Sequence, residues 1–542
     1  MKAGRPLKCS TTLALALMMS FVAAAQDHDH AGDKLGTVAF SVSCSAAATI
    51  EFDRAVALLH SFEFGAAING FRATLAADRS CAMAEWGIAM SHWGNPFAVG
   101  VRPAPTLQLG REAVERARRI GLTDDRERQY VDAVAHLYQD ADVVDQPARL
   151  AAYRDSTGEL AAAHPDDTEA EIFYALSIAA VAASSPLDPS FAAPLKAGAI
   201  LERLFAKMPD HPGLAHYIIH SYDYPQLAER AVEAARRYAK IAPDSPHAHH
   251  MPSHTFTRVG DWQESIDANI ASAEAARRDG VVGEELHAMD YRIYAYLQTA
   301  QDAKARAIVE ALPEVAGRYS AGGNNGAAPQ LAAYYAMAAI PARFALERGA
   351  WNDAVALVPM PTDYPFTAAL THLANAVGAG HTANRDLSRL AVEALTEITE
   401  RLRRQNESYW AEQTDIQRHQ AAAWLAWIER RPDDALAEAR RAAAMEDHTE
   451  KSAVTPGPLV PAREMLGELL LELKQPAPAL KEFEATLTRE PNRFRSVYGA
   501  AKAASMSGDR RKARAYFEQL LEICEHADSP LRRELIEARR AS

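Results

Sequence analysis

HPGLAHYIIHSYDYPQLAERAVEAARRYAKIAPDSPHAHHMPSHTFTRVGDWQESI, residues 211–266, is the stretch from which the architecture of this chain can be read. His216 and His220 are four apart, and so are His250 and His254. A step of four places two side chains on one face of a helix, one turn apart. The second pair follows the first by 34 residues. That interval fits a helix pair with its turns, so the second pair takes the same place on the next unit of a stack. Eight of the chain's 19 histidines fall between His211 and His287. An even spread would put about three there, so the clustering marks a candidate site as well as a repeat.

Outward from this stretch the pattern stays helical. From Glu51 onward apolar residues recur at three and four, with few β-branched runs and no hairpin turns between alternating strands. The spacing predicts helices near 109–119, 124–138, 146–163, 167–182 and 191–207. Asn95 to Pro105 reads as a loop, and Arg318 to Ala328, RYSAGGNNGAA, as a linker. Pro252 sits between His250 and His254 and removes one helical hydrogen bond, so it predicts a kink or a late helix start there.

Ala55, Ala67 and Phe71, then Ala89 at 34 residues beyond Ala55, carry small and aromatic residues at the places where paired helices cross. Ala231, Ala235 and Pro243 repeat that phase, as do Ala479, Phe483 and Pro491, followed by Ala513 and Phe517. In period, phase and residue size the chain resembles the tetratricopeptide-repeat family. The resemblance implies an all-α, right-handed superhelical solenoid of antiparallel helix pairs whose first helices line a concave groove. The phrases HPGLAHYIIHSYD and PHAHHMPSHTF also resemble those of a group of exported bacterial repeat proteins, which implies export and leaves the reaction open. The organisation expected is a signal peptide at 1–25, an N-terminal array at 26–317 carrying the histidines, a linker at 318–328 and a C-terminal array at 329–542.

Lys2, Arg5 and Lys8, a short apolar run from Ser10 to Val22 and Ala23-Ala24-Ala25 give the signal reading, and with it a periplasmic or secreted location. The run is too short to span a bilayer, which needs about 20 residues. Membrane insertion after cleavage is therefore not expected. The formal charge of −13 argues against nucleic acid and anionic membranes as partners. A small molecule or peptide in the groove is the expected partner class. Cys44 and Cys81 are either bridged, an option that export permits, or two buried thiols. His28, close behind the expected cleavage site, is either a copper-chelating position or part of a flexible tail.

Placed on the repeat, His216, His220 and Asp223 fall on one groove-facing helix, His247, His250 and His254 on the next, and His287 and Asp290 on a third. In the family these positions face the groove. Two pairs on neighbouring helices could share a metal ion, with imidazole suiting zinc or copper, and carboxylates extending the choice to iron or manganese. His216, His220, Asp223, His250, His254, His287 and Asp290 are thus the candidate ligands, with His247 at the start of its helix. Tyr217, Tyr222, Tyr224 and Tyr291 surround them. His211 and His249 read as structural, and His60, Trp86 and Trp93 as core. H-E-x-x-H, G-x-S-x-G, a P-loop and a dinucleotide fingerprint are all absent from the sequence. If chemistry occurs, the base would be Asp223, Asp290, Glu284, Glu285 or a metal-bound hydroxide. The function expected is a transition-metal site, with hydrolytic or oxidative catalysis open. The rivals are a metal-free peptide-binding scaffold and a protein that stores or delivers ions.

Overall fold

Small residues set how closely the helices of this chain cross. In a computed structural model, which describes residues 34–98, 100–323 and 326–541 together with Met1, the helices Ala46–His60 and Phe64–Ala77 meet at Ala55 and Gly70. A Cβ at Gly70 would lie 2.9 Å from that of Ala55. Phe71 then projects from the second helix onto Gly87 of the third, Ala82–Trp93, where no side chain would fit. Phe483 repeats the arrangement near the other end, wedged between Gly467 and Gly499 of the two flanking helices. These are the crossings expected from the spacing of Ala55, Phe71 and Phe483. The described residues form an all-α, tetratricopeptide-like array of helix pairs, and no strand occurs among them.

The helices expected upstream of the histidines are present as Ala104–Ile120, Asp125–Ala135, Gln146–Ala163, Thr168–Ala183 and Ala192–Phe205. Three of the next four open with proline at the first position, Pro212–Ser221, Pro246–His250 and Pro252–Val259. Proline is tolerated there because its missing N–H has no partner in the first turn. Pro252 accordingly splits the expected helix in two. His254 falls on the second piece, while Met251 between them keeps helical angles. Asp261 caps Trp262–Arg278 by accepting from the Glu264 N–H. Val282–Gln298 then carries His287, Asp290 and Tyr291.

Residues Lys34–Ser542 make one compact unit, because the chain's later helices return to the earlier ones. Gly260 sits at φ +73°, and a Cβ there would be 2.5 Å from the Pro491 carbonyl oxygen. The Trp262 indole N–H donates to the Asn492 carbonyl at 2.9 Å, and Asn492 donates back to the Gly260 carbonyl at 3.1 Å. Arg493, fully buried, pairs with Glu464 and Glu347 and donates to the Tyr294 hydroxyl at 3.0 Å.

A non-helical strap, residues 449–461, connects Pro432–Glu446 to Ala462–Glu472 and lies across the histidine-bearing helices. Tyr291 donates to the Ala453 and Thr455 carbonyls at 3.1 and 3.0 Å. Arg343 donates to Asp290 at 2.8 Å, to the Thr455 hydroxyl at 2.7 Å and to the Gly457 carbonyl at 2.9 Å. The segment read as a linker, 318–328, runs between Asp302–Arg318 and Gln330–Glu347. Its Ala327 and Ala328 are buried, and the Ala328 N–H donates to Glu284 at 2.9 Å.

Cys44 and Cys81 form a disulfide, and Cys524 is a buried free thiol. The bridge closes a 37-residue interval, a constraint of about 3–4 kcal/mol in the chain-entropy model. The expected signal peptide, His28 and His30 lie outside the described residues.

Asp290 and Arg343 are both fully buried, so removing one leaves the other charged and unpaired. Arg343→Met is expected to cost about 3–5 kcal/mol in urea unfolding of the metal-free protein, with Asp290→Leu in the same chain recovering most of it. Equal loss in the single and double variants would show that the strap, not the ion pair, carries the effect.

Candidate metal centre

Six imidazoles meet at the junction of these helices in two neighbouring groups. His216, His220 and His247 form one, and His250, His254 and His287 the other. In each, the candidate ligand nitrogens lie within 4.8 Å of one another. The groups adjoin: the ring centroids of His220 and His254 are 6.2 Å apart, and those of His247 and His250 6.1 Å. All six side chains are buried, His220 being the most exposed at 6%.

What each ring does with its outer nitrogen decides what the inner one offers. Nδ1 of His250 faces the Asn269 amide oxygen at 2.8 Å. The Asn269 nitrogen donates to the Ser265 carbonyl at 2.7 Å, so its oxygen is an acceptor and the His250 proton sits on Nδ1. His254 donates from Nδ1 to Asp223 at 3.1 Å. Both Nε2 atoms are then lone pairs, and they approach to 3.1 Å. Neither can donate to the other. His216 donates from Nδ1 to the His60 carbonyl at 2.6 Å, and His247 from Nδ1 to Glu284 at 2.9 Å. Their Nε2 atoms, with Nε2 of His220 and Nδ1 of His287, are buried without a partner. Four outer nitrogens tied to carboxylate, amide or carbonyl oxygen, with inner nitrogens converging, is the arrangement by which proteins orient imidazoles on a metal. Two ligands on one tetrahedral ion at about 2.0–2.1 Å stand about 3.3 Å apart, close to the His250–His254 separation.

Burial keeps these rings neutral. It pushes the imidazoles of His247 and His250 down to about 3, with neighbouring His254 adding to the effect. His216, His220 and His287 are driven well below the usual histidine value by burial first and then by neighbouring histidines. His254 is lowered by burial, which outweighs the contrary pull of Asp223. Burial works against ionising Asp223, yet Lys451 and Arg258 hold its carboxyl well below the usual range.

The sequence-predicted residues thus divide. His216, His220, His247, His250, His254 and His287 come together. Asp223 stands one shell back, accepting from His254, from Arg258 at 2.8 Å and from Lys451 at 3.3 Å. Asp290 turns to Arg343 and Glu285 to Arg277 and Arg318, away from the imidazoles. Glu284 holds His247. His249 donates to the Pro243 carbonyl, a structural bond. Tyr291 packs on His250, His254 and His287, with centroids 4.8–5.3 Å away. Tyr217 bonds to His60, and Tyr222 and Tyr224 lie farther out, Tyr222 under Gly198 and Tyr224 beside Phe191.

His60 and His211, read as core and structural from the sequence, join Glu169 in a third buried group. Glu169 accepts from His60 at 3.0 Å and from His211 at 2.9 Å. These bonds account for both carboxylate oxygens, so the group reads as a bracket holding the His60 carbonyl against His216. Phe62 and Phe97 were not legible as site residues. Phe62 lies 4.3 Å from the His216 ring, and Phe97 stacks on His220 at 3.9 Å. A cavity of about 10 Å³ remains, with His220, His247, His254 and His287 on one side and Phe97, Ala328 and Val454 on the other. That is room for about one water molecule.

No family model matches the sequence, and the comparison with curated proteins found no match. Among solved structures, a human IFIT1 dimer with m7Gppp-AAAA is similar at 11% identity, covering 82% of this chain and 90% of that one, with a TM-score of 0.36. The APC/C hetero-tetramer Cut9–Hcn1 is similar at 13% identity over 91% of this chain and 90% of that one, with a TM-score of 0.35. No helix among the described residues is long and apolar enough to cross a membrane.

The lowered histidines fix a pH dependence. Each binds its proton more weakly folded than unfolded, so stability is complete above the unfolded value of about 6.5 and is lost as pH falls below it. The metal-free protein is expected to hold its urea midpoint above about pH 7. It should lose stability below about pH 6.5, His247 and His250 alone contributing a slope of about 2.7 kcal/mol per pH unit. A midpoint unchanged between pH 7.5 and 5 would contradict a neutral buried cluster.

Proposed function

We propose that this chain is an exported tetratricopeptide-like metalloprotein that holds two transition-metal ions, one on each histidine trio. The observation that carries this reading is the opposition of the His250 and His254 lone pairs, beside four further unpartnered ring nitrogens. A buried acceptor without a donor costs about 1–3 kcal/mol. A cation on each trio removes that cost at once. Three histidines leave an ion with an open position, as in catalytic zinc and copper sites. His216, His220 and His247 would hold one ion, and His250, His254 and His287 the other. Asp223, Glu284, Asn269 and the His60 carbonyl would orient the rings, and Asp290 would anchor the strap rather than bind metal. Zinc and copper suit an all-imidazole set, while iron and manganese lose favour because no carboxylate joins either trio. The Cys44–Cys81 disulfide supports an oxidising location.

The burial of all six imidazoles favours this over a peptide-binding groove, which needs its contact side chains exposed. Metal analysis of the protein purified without a histidine tag is expected to give two ions per chain, both lost in His216→Ala/His250→Ala. Asp223→Asn is expected to weaken the second ion about 10–100-fold while leaving the first. Protein that stays metal-free after reconstitution with zinc, copper, iron and manganese would end this reading.

A further inference from the structure

The cavity beside the histidines narrows what these ions could be and what could reach them. It is bordered by His220 and His247 from one trio and by His254 and His287 from the other. An ion on either trio would thus stand beside the same small space. The rest of its lining is mostly apolar, with Ala328, Val454 and Phe97, the last stacked on His220, and Asn95 as a polar member. At about 10 Å³ its accessible space suits a molecule about the size of water.

Charge then discriminates between metals. Each ligand is a neutral imidazole. Among the described residues two carboxylates bond to the six rings, Glu284 and Asp223, and Asp223 is shared with Arg258 and Lys451. Asp290 is cancelled by Arg343, and Arg258 also reaches Glu450 at 3.1 Å. Two divalent ions would bring four positive charges into a buried site with little to offset them, which is costly. Two copper(I) ions bring two, half the charge that two divalent ions add to the buried site. Imidazole is a good donor to copper, and three nitrogens suit a low-coordinate ion.

Resting on the two-ion reading above, we propose that the pair is copper and that its ligand is dioxygen, bound between the two ions. In the binding step each copper(I) gives up one electron, and dioxygen accepts both and stays coordinated. No proton moves and no outside reductant is needed. Releasing dioxygen returns both electrons to the copper. The net charge of the site is the same before and after, which a dry pocket with fixed counter-charges requires.

The test uses the full purified chain, stripped of metal and loaded with copper(I) under argon. Two copper ions per chain are expected, colourless and without an electron paramagnetic signal. Admitting dioxygen should produce uptake of one molecule per two coppers and a new near-ultraviolet charge-transfer band. The product should remain silent by electron paramagnetic resonance because the two oxidised ions are coupled, and degassing should reverse the band. His287→Gln, which leaves the first trio intact, should bind about one copper and lose the uptake. Two coppers bound without dioxygen uptake, or uptake giving the full signal of isolated copper(II), would overturn the dioxygen assignment and leave the metal centre standing. Binding of zinc but not copper would overturn the copper assignment. Failure to hold any metal would instead remove the reading on which both rest.

Discussion

Two imidazole nitrogens with their lone pairs turned on each other at 3.1 Å repel unless something positive lies between them. The protein forces this opposition from behind. Asn269 fixes the proton of His250 on its outer nitrogen, and Asp223 does the same for His254. Those two partners are themselves pinned, Asn269 by the Ser265 carbonyl and Asp223 by Arg258 and Lys451. Rotating either ring away would strand a buried carboxylate or amide. The arrangement is held by an outer layer whose bonds are all satisfied, and the unsatisfied edge points inward.

The fold supplies this layer by drawing helices together closely. Where Gly70 meets Ala55 and Phe71 meets Gly87, backbone spacing is set by the absence of side chains. Nearer the histidines, Gly213 lets the Pro212–Ser221 helix close on the His60 ring, where a Cβ would lie 2.5 Å from its Nδ1. Pro252 adds a second adjustment by dividing the helix between His250 and His254, so the two rings converge at nearly a right angle, 86° between their planes.

The fold was legible because its information is local. Ala55, Phe71 and Phe483 announce their packing through spacing, and Pro252 its helix break through its missing N–H. The six histidines were legible for the same reason, since four-residue steps repeated at 34 residues fix which face they share. What decided their surroundings was not local. Asp290 looked like a ligand by position, yet Arg343, 53 residues later, claims it. His60 looked like core, and its carbonyl is the orienting acceptor for His216, 156 residues away. Phe97 sits in a loop whose sequence says only that a helix has ended. The strap has no periodicity at all, and its role rests on hydrogen bonds to Tyr291, Asp223 and Arg343 that no spacing encodes.

The strap also imposes an order on how the molecule is made. A chain that has emerged as far as Gln298 already contains all six imidazoles on their helices. It lacks Arg343, Lys451 and the segment from Ala453 to Gly457. Until those residues arrive, Asp223 has His254 and Arg258 but not Lys451, and Tyr291 lacks the strap carbonyls to which it donates. Once the strap is in place it is tied at Lys451, Tyr291 and Arg343 together, so lifting it from the histidine-bearing helices means breaking all three sets of contacts at once.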